Sequence, residues 1–522
     1  MGGEPVPERA GGRPTPVVLG VDIGTSSSKG VLVGLDGRLV RSRTVAHRVE
    51  RPRPGRVEMD GRLWWQEFVA LTRDLLAPGG VRVLAVGVSG MGPCVLLTDA
   101  AGTPLRPAIL YGVDTRAGAQ IAGMNERFGT EEILRRCGSA LSSQAAGPKI
   151  AWVAEEEPDL FARARRLFMP SSWLAYQLTG RYLLDQHSAS QCTPFYDTDA
   201  QDWYRPWVDP VAPRLALPPL CWPGDVAGAV TAGAAAATGL PAGIPVVAGT
   251  IDAWSEAISV GAQRVGDLML MYGTTMFLVH TVPHRLTSPS LWGTVGALPG
   301  TRNLAGGLAT AGAITGWLRD LFGGPDYADL LQLAERSGPG ARGLLMMPYF
   351  AGERTPILDP DARGLVAGLT LAHGPGDLYR AALEATALAV RHNLETIEAA
   401  GGDIRRIVAV GGGTQGRLWT QIVSDVTGRA QQIPAQTIGA SYGAAFLAAR
   451  TGQDVSIEEW NPVTAVRRPR PEVAADYDEL YRLYRELYAG SRTVTHALAA
   501  RQERLLTEAR ATRHPTAEGA AP

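Results

Sequence analysis

Two short apolar runs, residues 17–23 and 30–35, flank a polar turn that carries glycine, hydroxyls and a lysine. The turn reads Asp22-Ile23-Gly24-Thr25-Ser26-Ser27-Ser28-Lys29. Apolar runs of this length around a glycine turn predict a β-hairpin, and Asp36-Gly37 sends the chain into a further strand at 38–45. Glycine lets the backbone approach an anion closely. Thr25 and Ser26 set hydroxyls beside backbone amides, an anion cradle, and Lys29 adds positive charge. Asp22, at the strand end, is placed to hold a magnesium ion directly or through water. An ordinary polar hairpin turn is the competing reading. Asp-x-Gly-Thr-x-Ser-x-Lys after an apolar strand is nevertheless a much rarer combination than a lone Gly-Thr-Ser.

A similar triplet, Gly273-Thr274-Thr275, follows the apolar run 268–272. Periodicity predicts strands at 83–88, 95–98, 244–248, 268–272 and 407–410, and helices at 63–76, 312–321, 377–400, 418–426 and 441–449. Their alternation predicts an α/β architecture. The chain's 522 residues exceed what one hydrophobic core organises. Two similar domains are expected, 17–260 and 261–450, meeting near 259–266. A flexible leader is expected at 1–16, a helical extension at 451–511 with an amphipathic helix at 477–488, and a disordered tail at 512–522. Fifty basic residues against fifty-one acidic ones leave a net charge of -1. That balance gives no electrostatic reason to expect nucleic acid or an anionic membrane as partner. Cys94, Cys137, Cys192 and Cys221 lie far apart without a C-x-x-C pair, which fits a reducing cytoplasm. No apolar stretch is long enough to suggest a membrane span.

Other motifs bear on chemistry. Gly249-Thr250-Ile251-Asp252 sets a carboxylate after an apolar strand and a glycine turn. Such a residue is placed to accept a proton from a substrate hydroxyl, or to cap a helix over 253–260. Gly411 to Gly416 matches G-x-G-x-x-G between a strand and a helix, which suits a dinucleotide or an adenosine. The next strand carries no acidic residue to hold a ribose, and no P-loop motif occurs. His280 and His284 are four apart, but Pro283 between them argues against a helical metal pair.

Together these segments resemble the FGGY family of carbohydrate kinases over about residues 17–450. Residues 21–29 are similar to its first phosphate motif, and Met271-Tyr272-Gly273-Thr274-Thr275 to its second. Gly249 to Asp252 resembles the segment of its catalytic aspartate. Residues 348–364 resemble its connecting motif, 410–428 its adenosine motif, and 439–445 its second signature. The resemblance implies an actin-like fold, two ribonuclease-H-like domains around a cleft, with ATP and magnesium as cofactors and a small sugar or polyol as substrate. It implies Asp252 as base and Asp22 near magnesium. Thr25, Ser26 and Lys29 would serve the phosphates, and Gly273, Thr274, Gly312, Gly412 and Gly416 the nucleotide. Gly92, Pro93 and Tyr111 stand at sugar-binding positions. A homodimer is compatible with this reading.

The departures concern the sugar. Ser89-Gly90-Met91-Gly92-Pro93-Cys94 replaces Met-His-Gly of the xylulose kinases and Arg-Glu of the glycerol kinases. Gly92 and Pro93 offer no side-chain hydrogen bond. Ala253 follows the aspartate where Asn or Gln is usual, Tyr111 to Arg116 is one residue longer than Trp-x-Asp-x-Arg, and Gly416 replaces a polar residue. The favoured function is ATP-dependent phosphorylation of a sugar, with xylulose the best single candidate. A non-catalytic nucleotide or sugar sensor and a nicotinamide oxidoreductase are the alternatives.

Overall fold

A computed structural model describes residues 13–513, with side chains to residue 505. The chain divides into two units that are not contiguous in sequence. One comprises the residues up to Asp267, Thr281–Leu304 and Pro434–Val463; the other comprises Leu268–His280, Ala305–Ile433 and the residues from Thr464 on.

The first unit is built on strands β1 (Thr15–Ile23), β2 (Ser27–Gly34), β3 (Leu39–Ala46), β4 (Val81–Gly90), β5 (Val226–Ala229), β6 (Pro245–Val247) and β7 (Thr250–Ile251). Their order is β5-β6-β4-β1-β2-β3, with β7 also on β4. β1, β2 and β3 form an antiparallel meander, while β1 and β6 run parallel to β4. β1 is central, and Val17, Leu19, Val21 and Ile23 are buried together with Val18. A strand covered on both faces reads as a continuous apolar run, the pattern at 17–23. The strand begins at Thr15, which pairs with Val81, and Pro16 with Arg82. This shortens the expected leader, the rest of which (residues 1–12) lies outside the described residues.

The helix Gly61–Leu76 starts two residues before its apolar periodicity because Asp60 caps it, accepting from Arg62 N at 2.9 Å. Trp64, Phe68, Leu71 and Leu75 bury its inner face. The helix Ala440–Ala449 packs against β1 and β4 without side-chain separation. A Cβ on Gly20 would stand 2.0 Å from Ser441 O, and one on Gly87 1.9 Å from Ala444 O. On its other side, a Cβ on Gly443 would stand 1.8 Å from Ser255 O. Three glycines thus let the helix 440–449 lie in backbone contact with the sheet and with the helix Asp252–Ser259. That layer fixes Asp252 relative to the end of β1.

A second sheet, most of it in the second unit, contains β8 (Asp267–Tyr272), β9 (Met276–Val282), β10 (Arg302–Leu308), β11 (Arg406–Val410), β12 (Gln431–Pro434) and β13 (Val463–Arg467), in the order β10-β9-β8-β11-β12-β13 with the short strand Trp292–Val295 at the β10 edge. β8 and β9 are an antiparallel hairpin, and β11 runs parallel to β12. Helices Gly312–Leu321, Pro375–Ala399 and Arg417–Thr427 accompany the sheet. The segment expected as a helical extension contributes β13 before its long helix, Ala474–Arg513, which includes the expected 477–488. Thr512 and Arg513 still belong to that helix, and the remainder of the expected tail, 514–522, lies outside the described residues. No described helix is long and apolar enough to cross a membrane.

Candidate active site

The turn between β1 and β2 is closed by Gly24 N donating to Ser27 O at 3.0 Å. Its counterpart between β8 and β9 is closed by Gly273 N donating to Thr275 O, also at 3.0 Å. Both Gly-Thr triplets therefore sit in tight hairpins with amides turned out of the ladder, a shape that suits anions. In the first turn, the hydroxyls of Thr25 and Tyr111 are 2.8 Å apart, so the structure brings a phosphate candidate and a sugar candidate together. Ser26 is exposed. Lys29 Nζ donates to Ile438 O at 2.8 Å. Burial holds its ammonium below the usual lysine range, against the charges of Asp22 and Glu256.

Asp22 accepts from Ser89 Oγ at 2.9 Å. Burial, then the neighbouring Asp252 charge, pushes its carboxyl well above the usual carboxylate range, and Ser89 and Lys29 only partly offset this. Burial raises Asp252 as well, opposed by its bond from Ala253 N. Glu256 is pushed up to about 7 by burial and by Asp252. It lies four residues after Asp252 on the same helix face. All three carboxylates are half-buried, so solvent-side access remains.

Asp252 is the first residue of its helix rather than the cap. Ile251 occupies the N-cap without a side-chain bond, and Asp252 Oδ1 accepts from the adjacent Ala253 N at 2.8 Å. The reason is the preceding bend. Gly249 takes φ +70, where a Cβ would stand 1.9 Å from Val88 O, and β7 pairs with β4 up to Ile251.

The end of β4 leads into Gly92 and Pro93, both buried. A Cβ on Gly92 would stand 2.6 Å from Ile251 Cγ1, so this loop lies beside the start of the Asp252 helix. Gln144 accepts from Gly112 N at 3.1 Å and donates to Gly92 O at 3.4 Å. Lys149, buried in the helix Ala146–Glu156, donates to Tyr111 O at 2.9 Å and Ser143 O at 2.6 Å, which fixes the loop of Tyr111.

In the second unit, Gly273, Thr274, Gly312, Gly412 and Gly416 line one pocket of about 490 Å³. Thr315 and Gln415 add polar groups; Tyr327, Leu331, Tyr379, Leu383 and Trp419 add apolar walls. Trp419 is fixed by Nε1 donating to Thr386 Oγ1 at 3.0 Å. Gly312 N and Ala313 N donate to Gly273 O and Thr274 O, which sets the helix Gly312–Leu321 end-on to the turn. A glycine turn, nearby hydroxyl and amide side chains and flat apolar walls suit a nucleotide. The strand before Gly411 lies in a mixed sheet rather than a doubly wound parallel one, which removes the nicotinamide reading of that motif.

Sequence reasoning missed Glu256, Gln144 and the partners of Lys29. Glu256 is detectable in principle as a carboxylate one helical turn after Asp252. Gln144 stands in a loop with no periodicity.

The chain matches the family model "FGGY family of carbohydrate kinases, N-terminal domain" over residues 17–259, and its C-terminal counterpart over 268–452. It is 29% identical to the xylulose kinase of Escherichia coli over 485 residues, which cover 90% of this chain and 98% of that one. It is 26% identical to the gluconokinase of Bacillus subtilis, covering 83% and 87%. A solved xylulose kinase structure from Rhodospirillum rubrum is 32% identical, covers 92% of this chain and 100% of that one, and superposes with a TM-score of 0.85. With two sheet domains of actin-like ATPase type, these matches define an ATP-dependent phosphotransferase with an alcohol acceptor. The chain belongs to the FGGY family of carbohydrate kinases, and within it is xylulose kinase-like.

Proposed function

We propose that this kinase phosphorylates a ketopentose of the xylulose type, with Asp252 as its general base. The observation that carries the role of Asp252 is its place on the first turn of its helix, half-buried beside Asp22, Glu256 and Lys29. One carboxylate oxygen is engaged by Ala253 N, and the other takes the proton of a sugar hydroxyl. The hydroxyl oxygen attacks the γ-phosphorus of ATP, the bond to the β–γ bridging oxygen breaks, and ADP leaves. Burial raises the proton affinity of Asp252, which makes it a stronger base than an exposed carboxylate.

The second-unit pocket takes the nucleotide through Gly273, Thr274, Gly312, Gly412 and Gly416. Thr25, Ser26 and the amides around Gly24 take phosphate oxygens, and Lys29 balances charge. The half-buried acidic excess at Asp22, Asp252 and Glu256, against one lysine, fits a bound cation. No described group of three or more His, Cys, Asp or Glu side chains could hold a metal by itself. A magnesium ion would therefore rest on Asp22 and otherwise on water and phosphate oxygens, as this ion tolerates. When bound it offsets phosphate charge. Gln144 and Tyr111 supply hydrogen bonds that Gly92 and Pro93 do not. A reducing cytoplasm suits the four free thiols.

The test is ADP release across D-xylulose, D-ribulose, gluconate and glycerol. D-xylulose should give the highest kcat/KM by about tenfold or more, since a site built to hydrogen-bond particular hydroxyls discriminates at least that well. A higher value for gluconate or glycerol overturns the substrate assignment.

A further inference from the structure

Behind the Gly24–Ser27 turn lies a buried cluster that none of the roles above uses. Ser28 Oγ donates to Glu67 Oε2 at 2.5 Å. His47 Nδ1 lies 3.0 Å from Glu67 Oε2 and 3.1 Å from Oε1. On its other side, His47 Nε2 lies 3.0 Å from Gly24 O. The backbone joins in, with His47 N donating to Ser26 O at 3.0 Å. The side chains of His47 and Glu67 are only 4% and 6% exposed, and Ser28 is fully buried.

The chemistry of the acceptors fixes the state of the ring. A carboxylate and a peptide carbonyl both accept and cannot donate. A neutral imidazole has one N–H and leaves one of these contacts without a proton. With Glu67 ionised, only the doubly protonated ring satisfies both. Burial pulls the His47 ring toward the neutral form, but the bonds and charge of Glu67 and the Gly24 carbonyl outweigh it and hold its proton affinity above the usual histidine value. Glu67 is the charged side chain facing the ring; Gly24 and Thr25 face it with backbone groups only.

We infer that His47, held as an imidazolium by Glu67, is a positioning residue that clamps the Gly24–Ser27 turn in its phosphate-receiving shape. It binds the turn at two points, the carbonyls of Gly24 and Ser26. Glu67 binds the strand just beyond, through Ser28. The cluster thus ties the helix Gly61–Leu76 and the end of β3 to both sides of one turn. It also sets a fixed positive charge behind amides proposed to face anionic oxygens. This inference rests on the phosphate reading of the turn.

The test uses the full-length enzyme with MgATP and its best sugar. His47→Gln keeps a donor but removes the charge and one contact. It should raise the KM for MgATP by about tenfold, the scale of one charge-assisted hydrogen bond, with the sugar KM within twofold. Glu67→Gln keeps the size and removes the carboxylate charge. Because the wild-type ring is held protonated, its clamp is present at low pH and lost as pH rises past its elevated pKa. In Glu67→Gln the rise in KM for MgATP should therefore begin about one pH unit or more lower. A 15N spectrum of the histidine rings should show His47 doubly protonated at pH 7. A neutral His47 ring, equal changes in both KM values, or an unshifted pH profile in Glu67→Gln overturns the inference. Thr25→Ala separates the two readings. If it raises the KM for MgATP while His47→Gln does not, the turn binds phosphate and the clamp is wrong. If Thr25→Ala also leaves that KM unchanged, the phosphate reading itself fails.

Discussion

Replacing Asp252 by Asn should abolish turnover and stabilise the fold at once. The amide keeps the size of the side chain, and its oxygen still accepts from Ala253 N, now 2.8 Å from Oδ1. What it loses is the negative charge and the ability to take a proton. General-base catalysis is worth about 10²–10⁴ in rate, so kcat should fall by that factor while nucleotide still binds. Stability should move the other way. Asp22 and Glu256 are both raised by the Asp252 charge, and burial raises Asp252 itself. A carboxylate whose folded pKa lies above its unfolded value destabilises the fold once ionised, by about 1.4 kcal/mol per unit of displacement. The cost is present above the folded pKa and disappears below the unfolded one, about 4. Asp252→Asn should thus raise Tm at pH 8 by about 1 °C per kcal/mol recovered, since the unfolding entropy scales with chain length, and by much less at pH 4. Solvent access to these half-buried groups brings the gain toward the low end. ADP release and calorimetry at the two pH values decide it. A kcat within tenfold of wild type removes Asp252 as the base. A lower Tm at pH 8 removes the account of a repelling carboxylate cluster.

Three further outcomes follow from the packing. Gly20→Ala sets a Cβ 2.0 Å from Ser441 O, against backbone that cannot rotate away; a loss of about 3 kcal/mol or more in urea unfolding is expected. Gly411→Ala forces a side chain onto φ +96 and 2.6 Å from Tyr272 O; ATP affinity by calorimetry should fall by about tenfold or more, with sugar binding unchanged. Lys149→Met leaves the carbonyls of Tyr111 and Ser143 without their shared donor. The KM for the sugar should rise more than that for MgATP, and an equal rise in both contradicts the role given to the Tyr111 loop.

Much of the site is local in sequence and was legible there. The two Gly-Thr turns each sit between apolar runs, and both prove to be tight hairpins closed through the amide of their glycine, the first over four residues and the second over three. The helix expected at 312–321 is observed as Gly312–Leu321, and its first glycine lines the pocket with Gly412 and Gly416. From sequence, Asp252 reads as a carboxylate at a strand end, either a helix cap or a free group. The bend at Gly249 and the pairing of β7 settle it, and those depend on β4, about 160 residues earlier in the chain.

What the amino-acid sequence determined by itself is therefore the glycine turns, part of the set of strands and helices around them, and the residue types that phosphate chemistry needs. Those depend on period, glycine and hydroxyl placement within a few residues. The tertiary structure alone decided which of them meet. Thr25 reaches Tyr111 across 86 positions, and Lys29 reaches Ile438 across 409. His47 closes on Gly24 and Glu67, and the helix 440–449 returns to the first unit to lie on Gly20 and Gly87. No local pattern encodes such pairs, because each rests on the burial and close packing of segments that only the completed sheet brings side by side.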